Sequence, residues 1–225
     1  MNIKSIIALL TIFLLCPSPA SSKNIEGTSP DGSTRIVIET ENQVAYSVFR
    51  HGTMILNTSP ISLTVGNNIW GTDRKCLKIT SHSVSERVNF TVPRKYKQVS
   101  NEYNQIQLTY KGYKIEFRVY NEGVAYRFIS TSHHKEPVQS EVVSFYFNQD
   151  YNSYTLLTNQ LQNWFEQNYT ISPISKLPRD SFSVAPVMVE VDKYKVLLAE
   201  ANLYNYAGMY LQPIGHAFQG IFALY

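Results

Sequence analysis

The sequence predicts an all-β protein built from antiparallel strands, most simply a sandwich. Three observations predict it. Tyr, Phe, Val, Ile and Thr recur in short runs broken by Gly, Pro, Asn and Asp, the composition of half-buried pleated strands. Apolar and polar residues alternate strictly through successive segments between Gln105 and Ser130, as antiparallel strands with one face on a core require. No segment keeps a helical apolar period over three turns.

The chain opens on a segment that is not fold. Met1 to Ser22 has Lys4, an apolar run from Ile6 to Leu15, then Pro17, Ser18, Pro19 and Ala20. A run of about ten residues is too short to span a bilayer and reads as a secretory leader. Residues 1–22 are therefore expected to be removed near Ala20 to Ser22, which places the protein in the periplasm or outside the cell. An acylated Cys16 is the alternative, but Phe13-Leu14-Leu15 ahead of it lacks the usual small residues. Residues 23–225 then form one domain of about 200 residues, enough for one large β core.

Ser29-Pro30-Asp31-Gly32 is a turn, because proline presets φ and glycine tolerates positive φ. Arg35 to Glu39 and Val44 to Arg50 follow as strands. In the meander, Ile106, Leu108 and Tyr110 alternate with polar neighbours, and Lys111-Gly112 turns the chain. Tyr113, Ile115, Phe117 and Val119 form one face, with Lys114, Glu116 and Arg118 on the other. Asn121-Glu122-Gly123 turns it again, and Val124, Tyr126 and Phe128 return. Further strands are expected at Leu77 to Ser85, Val142 to Phe147, Val184 to Val189, Lys195 to Ala199 and Ile221 to Tyr225. Leu156 to Phe165 could hold a short turn of helix. The apolar end from Gly220 to Tyr225 either pairs within the sheet or once led into further chain.

Without Lys4 the 20 basic residues become 19, against 17 acidic ones. This near balance, with no basic run, argues against nucleic acid. Nothing outside the leader suits a membrane. Cys76, the single cysteine after the leader, excludes an intrachain disulfide and is expected to be a buried small side chain. Three Asn-x-Ser/Thr triplets begin at Asn57, Asn89 and Asn168, a pattern that chance often supplies.

No phosphate loop, His-Glu-x-x-His motif, Gly-x-Ser-x-Gly elbow or EF-hand loop is present. His133-His134 reads as a solvated turn ahead of Lys135-Glu136-Pro137, since neighbours on a strand would face apart. Two clusters could meet sugar. Asn163-Trp164-Phe165-Glu166-Gln167-Asn168-Tyr169 sets one carboxylate among aromatics and amides. Trp164 and Tyr169 could stack on sugar rings. Glu166 could be an oxygen ligand for Ca²⁺, though spacing alone favours an exposed loop acid. The second cluster runs from Glu200 to Met209. Glu200 could bind ligand there, or accept hydrogen bonds from loop backbone.

Five stretches together resemble the N-terminal domain of glycoside hydrolase family 97. They are Ser29-Pro-Asp-Gly, Ser59-Pro-Ile-Ser-Leu63, Asn101-Glu-Tyr-Asn-Gln105, Phe117-Arg-Val-Tyr-Asn-Glu-Gly-Val-Ala-Tyr-Arg-Phe128, and Glu200-Ala-Asn-Leu-Tyr-Asn-Tyr-Ala-Gly-Met-Tyr-Leu211. Ile61, Asn202 and Ala207 depart from the family pattern at turns. The resemblance implies a β-supersandwich of the galactose-mutarotase-like kind, ahead of a catalytic (β/α)₈ barrel that this chain lacks. It implies α-glucosidase or α-galactosidase activity in the parent enzyme, with no catalytic residue on this domain. It implies that Glu166, with Tyr169 three residues on, is one ligand of a Ca²⁺ shared with the barrel and held weakly or not at all by this chain alone. The expected partners are that barrel and an α-linked oligosaccharide, contacted through Trp164, Tyr169 and Glu200. Two alternatives use the same fold. One is a mutarotase or epimerase, for which His133, His134 and His216 are the candidates. The other is a glycan-binding module.

Overall fold

The structure, a computed structural model, describes residues 24–92, 95–162 and 166–223. The leader reading of residues 1–22 lies outside them. Eighteen strands and one 3₁₀ turn (Ile174–Lys176) make up the described chain. Among the described residues no helix is long and apolar enough to cross a membrane.

The first hairpins form as the turn chemistry dictates. β1 (Ile25–Thr28) and β2 (Thr34–Glu39) are antiparallel, joined at Asp31. The Asp31 carboxylate accepts the Ser29 hydroxyl at 2.6 Å, the Ser33 amide at 2.9 Å and the Ser33 hydroxyl at 2.6 Å. These bonds, the Ser29 hydroxyl first, hold its pKa down at about 2. β3 (Ala45–Arg50), β4 (Thr53–Val65) and the short β5 (Asn68–Trp70) continue the sheet.

The meander takes the expected register and is longer than the alternation shows. β6 (Lys78–Asn89) pairs with β7 (Gln98–Thr109) along its whole length. β7 then pairs with β8 (Tyr113–Tyr120), and β8 with β9 (Gly123–Ser130). The outer half of the β6–β7 ribbon runs past β8 with both faces exposed, so it carries no alternation to read.

β10 (Val138–Tyr146), β11 (Asn152–Thr155), β12 (Leu157–Thr158), β13 (Thr170–Pro173), β14 (Phe182–Val184), β15 (Val187–Val191), β16 (Tyr194–Leu198), β17 (Met209–Ile214) and β18 (Ala217–Phe222) complete the chain. Three expectations are corrected here. The helical turn over Leu156 to Phe165 is not formed in its described part. Leu157 and Thr158 instead pair with Ser183 and Phe182, and the Thr158 hydroxyl accepts the Gln160 amide at 3.1 Å. The strand from Val184 to Val189 is two strands, broken by Pro186, which has no N–H for the ladder. The last strand starts at Ala217, after a tight turn at Gly215 (φ 60°). It lies between β10 and β17: Ala217 to Gln219 pair with both neighbours, and Gly220 to Phe222 of the apolar run pair with β17.

The strands form a ten-stranded sheet in the order β1-β2-β3-β4-β10-β18-β17-β14-β12, with β5 on β4. Two four-stranded sheets, β6-β7-β8-β9 and β13-β11-β15-β16, complete the sandwich. Ile115, Phe117 and Val119 of β8 are wholly buried with Ile36 and Ile38 of β2 in one core. Phe117 and Tyr126 both lie against Tyr46 of β3, with ring centroids 5.9 and 5.6 Å from it. Val187, Val189 and Val191 of β15 share that core with Leu211 of β17 and Phe218 of β18, all wholly buried. Each such side chain contributes about 1.5–3 kcal/mol through burial.

The polar face of β8 also holds a buried group. Glu116 is 4% exposed, and its Oε1 lies 2.9 Å from both the Arg118 and the Arg127 guanidinium. Arg118 also lies over the Tyr103 ring at 4.7 Å. The arginine stems shield a carboxylate whose position in the strand pointed to solvent. Cys76 is partly buried rather than fully so, and its thiol donates to the Lys78 carbonyl at 3.4 Å.

Candidate functional site

Glu166 and Tyr169 lie in the loop from β12 to β13, closed by a bond from the Gln167 side-chain amide to the Leu157 carbonyl. Glu166 is exposed. Trp164 lies outside the described residues. Tyr169 is 59% exposed. Its ring borders a depression of about 260 Å³ with Tyr154, Pro186, Met188 and Leu197.

Glu200 does not line this depression. It follows β16, and its Oε2 accepts the Met209 amide at 2.9 Å. That bond closes the loop from Glu200 to β17, so the backbone-acceptor role weighed for this residue is the one seen. Within the loop Asn202 (φ 62°) and Asn205 (φ 54°) take left-handed conformations, which asparagine tolerates better than most residues. Tyr206 then donates its hydroxyl to Glu141 Oε2 at 2.5 Å. Its ring meets Phe222 edge-on, with centroids 6.1 Å apart. Tyr206, Asn205 and Glu141 line an open groove of about 870 Å³ between the start of β10 and the end of β18.

Burial pushes the Glu141 carboxyl above its usual range, the Tyr206 hydroxyl opposes this, and the Glu200 charge adds to it. Burial also raises Glu200, against the Met209 amide. A carboxyl raised in the folded state favours folding while protonated. That contribution is full below the ordinary value of 4.5 and is lost as pH rises above it. Glu141→Gln is thus expected to raise the melting temperature relative to wild type at about pH 7 and leave it nearly unchanged at about pH 4. Thermal melts at the two pH values check this, and an equal shift at both would contradict it.

Glu141 escaped the sequence reading. The available signal was a lone acid beside the apolar run Val142-Val143, but its partner Tyr206 is 65 positions away. The three candidate histidines are exposed and lie on two different loops. His133 and His134 are exposed in the loop after β9, and His216 is exposed in the β17–β18 turn. At Asp150 burial works against ionisation, but the Ser175 hydroxyl and amide, bonded to Asp150 at 2.6 and 2.9 Å, hold its carboxyl below the usual range. His133, His134, His216 and Asp150 line neither cleft.

No group of three or more His, Cys, Asp or Glu gathers as a metal site among the described residues. Ca²⁺ takes six to eight oxygens, so Glu166 fits it only as one contributor to a site completed by oxygens from elsewhere.

The sequence profile described as glycosyl-hydrolase 97 N-terminal matches residues 28–223. A retaining alpha-galactosidase of Bacteroides thetaiotaomicron is 33% identical over 224 residues, covering 90% of this chain and 33% of its own length. The chain thus spans about a third of the curated relative it matches. A glycoside hydrolase family 97 enzyme of Pseudoalteromonas sp. strain K8, solved with acarbose, superposes with a TM-score of 0.75 at 18% identity, over 88% of this chain and 32% of that one. A beta-arabinopyranosidase superposes with a TM-score of 0.79 at 18% identity, over 90% of this chain and 36% of that one.

Proposed function

Because the chain belongs to the glycosyl-hydrolase 97 N-terminal family, we propose that it is the non-catalytic wall of a family 97 glycoside hydrolase active site and supplies Glu166 to a shared Ca²⁺. The observation that carries this reading is the profile match over nearly every described residue, in a chain spanning a third of the relative. The exposure of Glu166 supports it, since a carboxylate that completes an external site must be reachable. Bound there, the ion would stabilise charge near the glycosidic oxygen. Trp164 and Tyr169 would flank the sugar, and Glu200 would shape the neighbouring groove by fixing its loop. The substrate class is an α-linked oligosaccharide, in keeping with the relative's name. The leader would deliver the chain to the periplasm or beyond.

Hydrolysis of a glycoside requires two placed carboxyl groups. In this reading both belong to the remainder of the enzyme. The purified chain is expected to release nothing measurable from aryl α-glucosides or α-galactosides, with or without Ca²⁺. Turnover by the chain alone that Glu166→Ala abolishes would overturn the reading.

A further inference from the structure

Among the described residues β6 is the longest strand at any sheet edge, running from Lys78 to Asn89. One side of it pairs with β7 in unbroken register, and it contains no proline. Natural edges are usually kept short, bulged or broken by proline, because an open strand recruits another. One step past Asn89, the Phe90 amide donates to the Lys97 carbonyl at 3.1 Å. That bond makes the even-numbered residues of β6 the hydrogen-bonded partners of β7. The odd ones, from Ile79 to Asn89, therefore turn their N–H and C=O groups to the free edge. β8 pairs only with Tyr103 to Thr109 of β7, which lie opposite residues 78–84 of β6. Beyond them the ribbon is two strands wide, an arrangement marginal in water by itself. It still exposes Val88 opposite Val99, with Phe90, Val92 and Tyr96 at its far end.

We infer that β6 is an interface for a second copy of this chain, joined antiparallel through the free edge. Self-pairing about a two-fold axis must set odd residues opposite odd ones. Two such registers overlap the strand almost fully, with the axis at Ser83 or at Val84. The Ser83 register sets Glu86 opposite Thr80 and brings no opposite charges together. The Val84 register sets His82 of each copy opposite Glu86 of the other, and no like charges face each other. His82 and Glu86 are both exposed, and the Asn101 side-chain amide holds Glu86 in place at 2.6 Å. Moving the axis on to Glu86 or Arg87 would set like charge against like, which destabilises a sheet. Charge thus selects Val84. In that register residues 85–89 of one copy lie along residues 79–83 of the other. Each projecting ribbon is received by the part of the other sheet that β8 backs, and the two sheets become one. The pairing uses none of the residues assigned above to sugar or Ca²⁺.

Sedimentation of the purified chain should show a monomer–dimer equilibrium. Val84→Cys, combined with Cys76→Ser, should form a disulfide-linked dimer in oxidised glutathione. Facing residues at a non-hydrogen-bonded position have Cα atoms about 4.5 Å apart, within disulfide reach. Thr80→Cys in the same background should not link to itself, because Val88 faces it. His82→Glu should weaken the dimer about 10-fold by opposing two pairs of carboxylates, and adding Glu86→Lys should restore it. None of the substituted side chains is buried, so every variant should keep the melting temperature of the dilute wild-type chain. The inference falls if the chain stays monomeric at about 100 μM, above the micromolar end of protein interfaces. It falls equally if Val84→Cys does not cross-link, if Thr80→Cys links as readily, or if Glu86→Lys fails to rescue His82→Glu.

Discussion

Phe117→Ala is expected to lower the unfolding free energy by about 3–5 kcal/mol, the usual range for emptying a large aromatic site in a core. Phe117 is wholly buried and lies at the centre of β8, with β7 on one side and β9 on the other. Its ring joins the four-stranded sheet to the large one through Tyr46, and it also contacts Tyr126 at 6.0 Å. Truncation would leave Ile36, Ile38 and Tyr46 facing a void that the sheets cannot close without bending. Urea unfolding of wild type and variant measures the difference. A loss below about 1 kcal/mol would show that the meander does not pack on the first strands.

Gly71→Ala should cost about 2–4 kcal/mol, combining left-handed strain with a steric clash. Gly71 has φ 93°, and a Cβ there would lie 2.9 Å from the Ile61 carbonyl oxygen, which is backbone and cannot swing away. The same residue links three elements. Its carbonyl accepts the Val44 amide at 2.6 Å, and its amide donates to the Tyr113 hydroxyl at 2.9 Å. Tyr113 in turn donates to Asp73 at 2.6 Å and stacks between Trp70 and Tyr110, with centroids 4.9 and 4.8 Å away. Moving Gly71 disturbs all of these, so a melting temperature within about 2 °C of wild type would contradict the account.

The fold was legible wherever one face of a strand is wet and the other dry. β7, β8 and β9 display that contrast residue by residue, and their turns at Gly112 and Gly123 carry the chemistry that turns need. Legibility failed where the contrast vanishes. The outer β6–β7 ribbon is wet on both faces, and β12 is too short to hold a period. Pro186 splits a run that composition alone makes continuous. Glu116 shows a third failure, because burial by two arginines on neighbouring positions of β8 and β9 depends on register rather than on residue type.

The candidate site was legible only in part, for a related reason. Glu166 and Tyr169 are close in sequence and stay in one loop, so their association needed no tertiary knowledge. Glu200 stood out by its place in a dense polar and aromatic cluster, but its bond to Met209 could not be weighed against ligand binding without the loop's path. The groove of Glu141 and Tyr206 joins the start of β10 to a loop far along the chain.

Calcium titration of the isolated chain by calorimetry tests the central claim most directly. One reachable carboxylate, with no gathered metal-binding group among the described residues, should give no saturable heat at micromolar Ca²⁺, and Glu166→Ala should leave the trace unchanged. A stoichiometric, tight binding isotherm that disappears in Glu166→Ala would mean the chain assembles its own metal site and would contradict a ligand set shared with the rest of the enzyme.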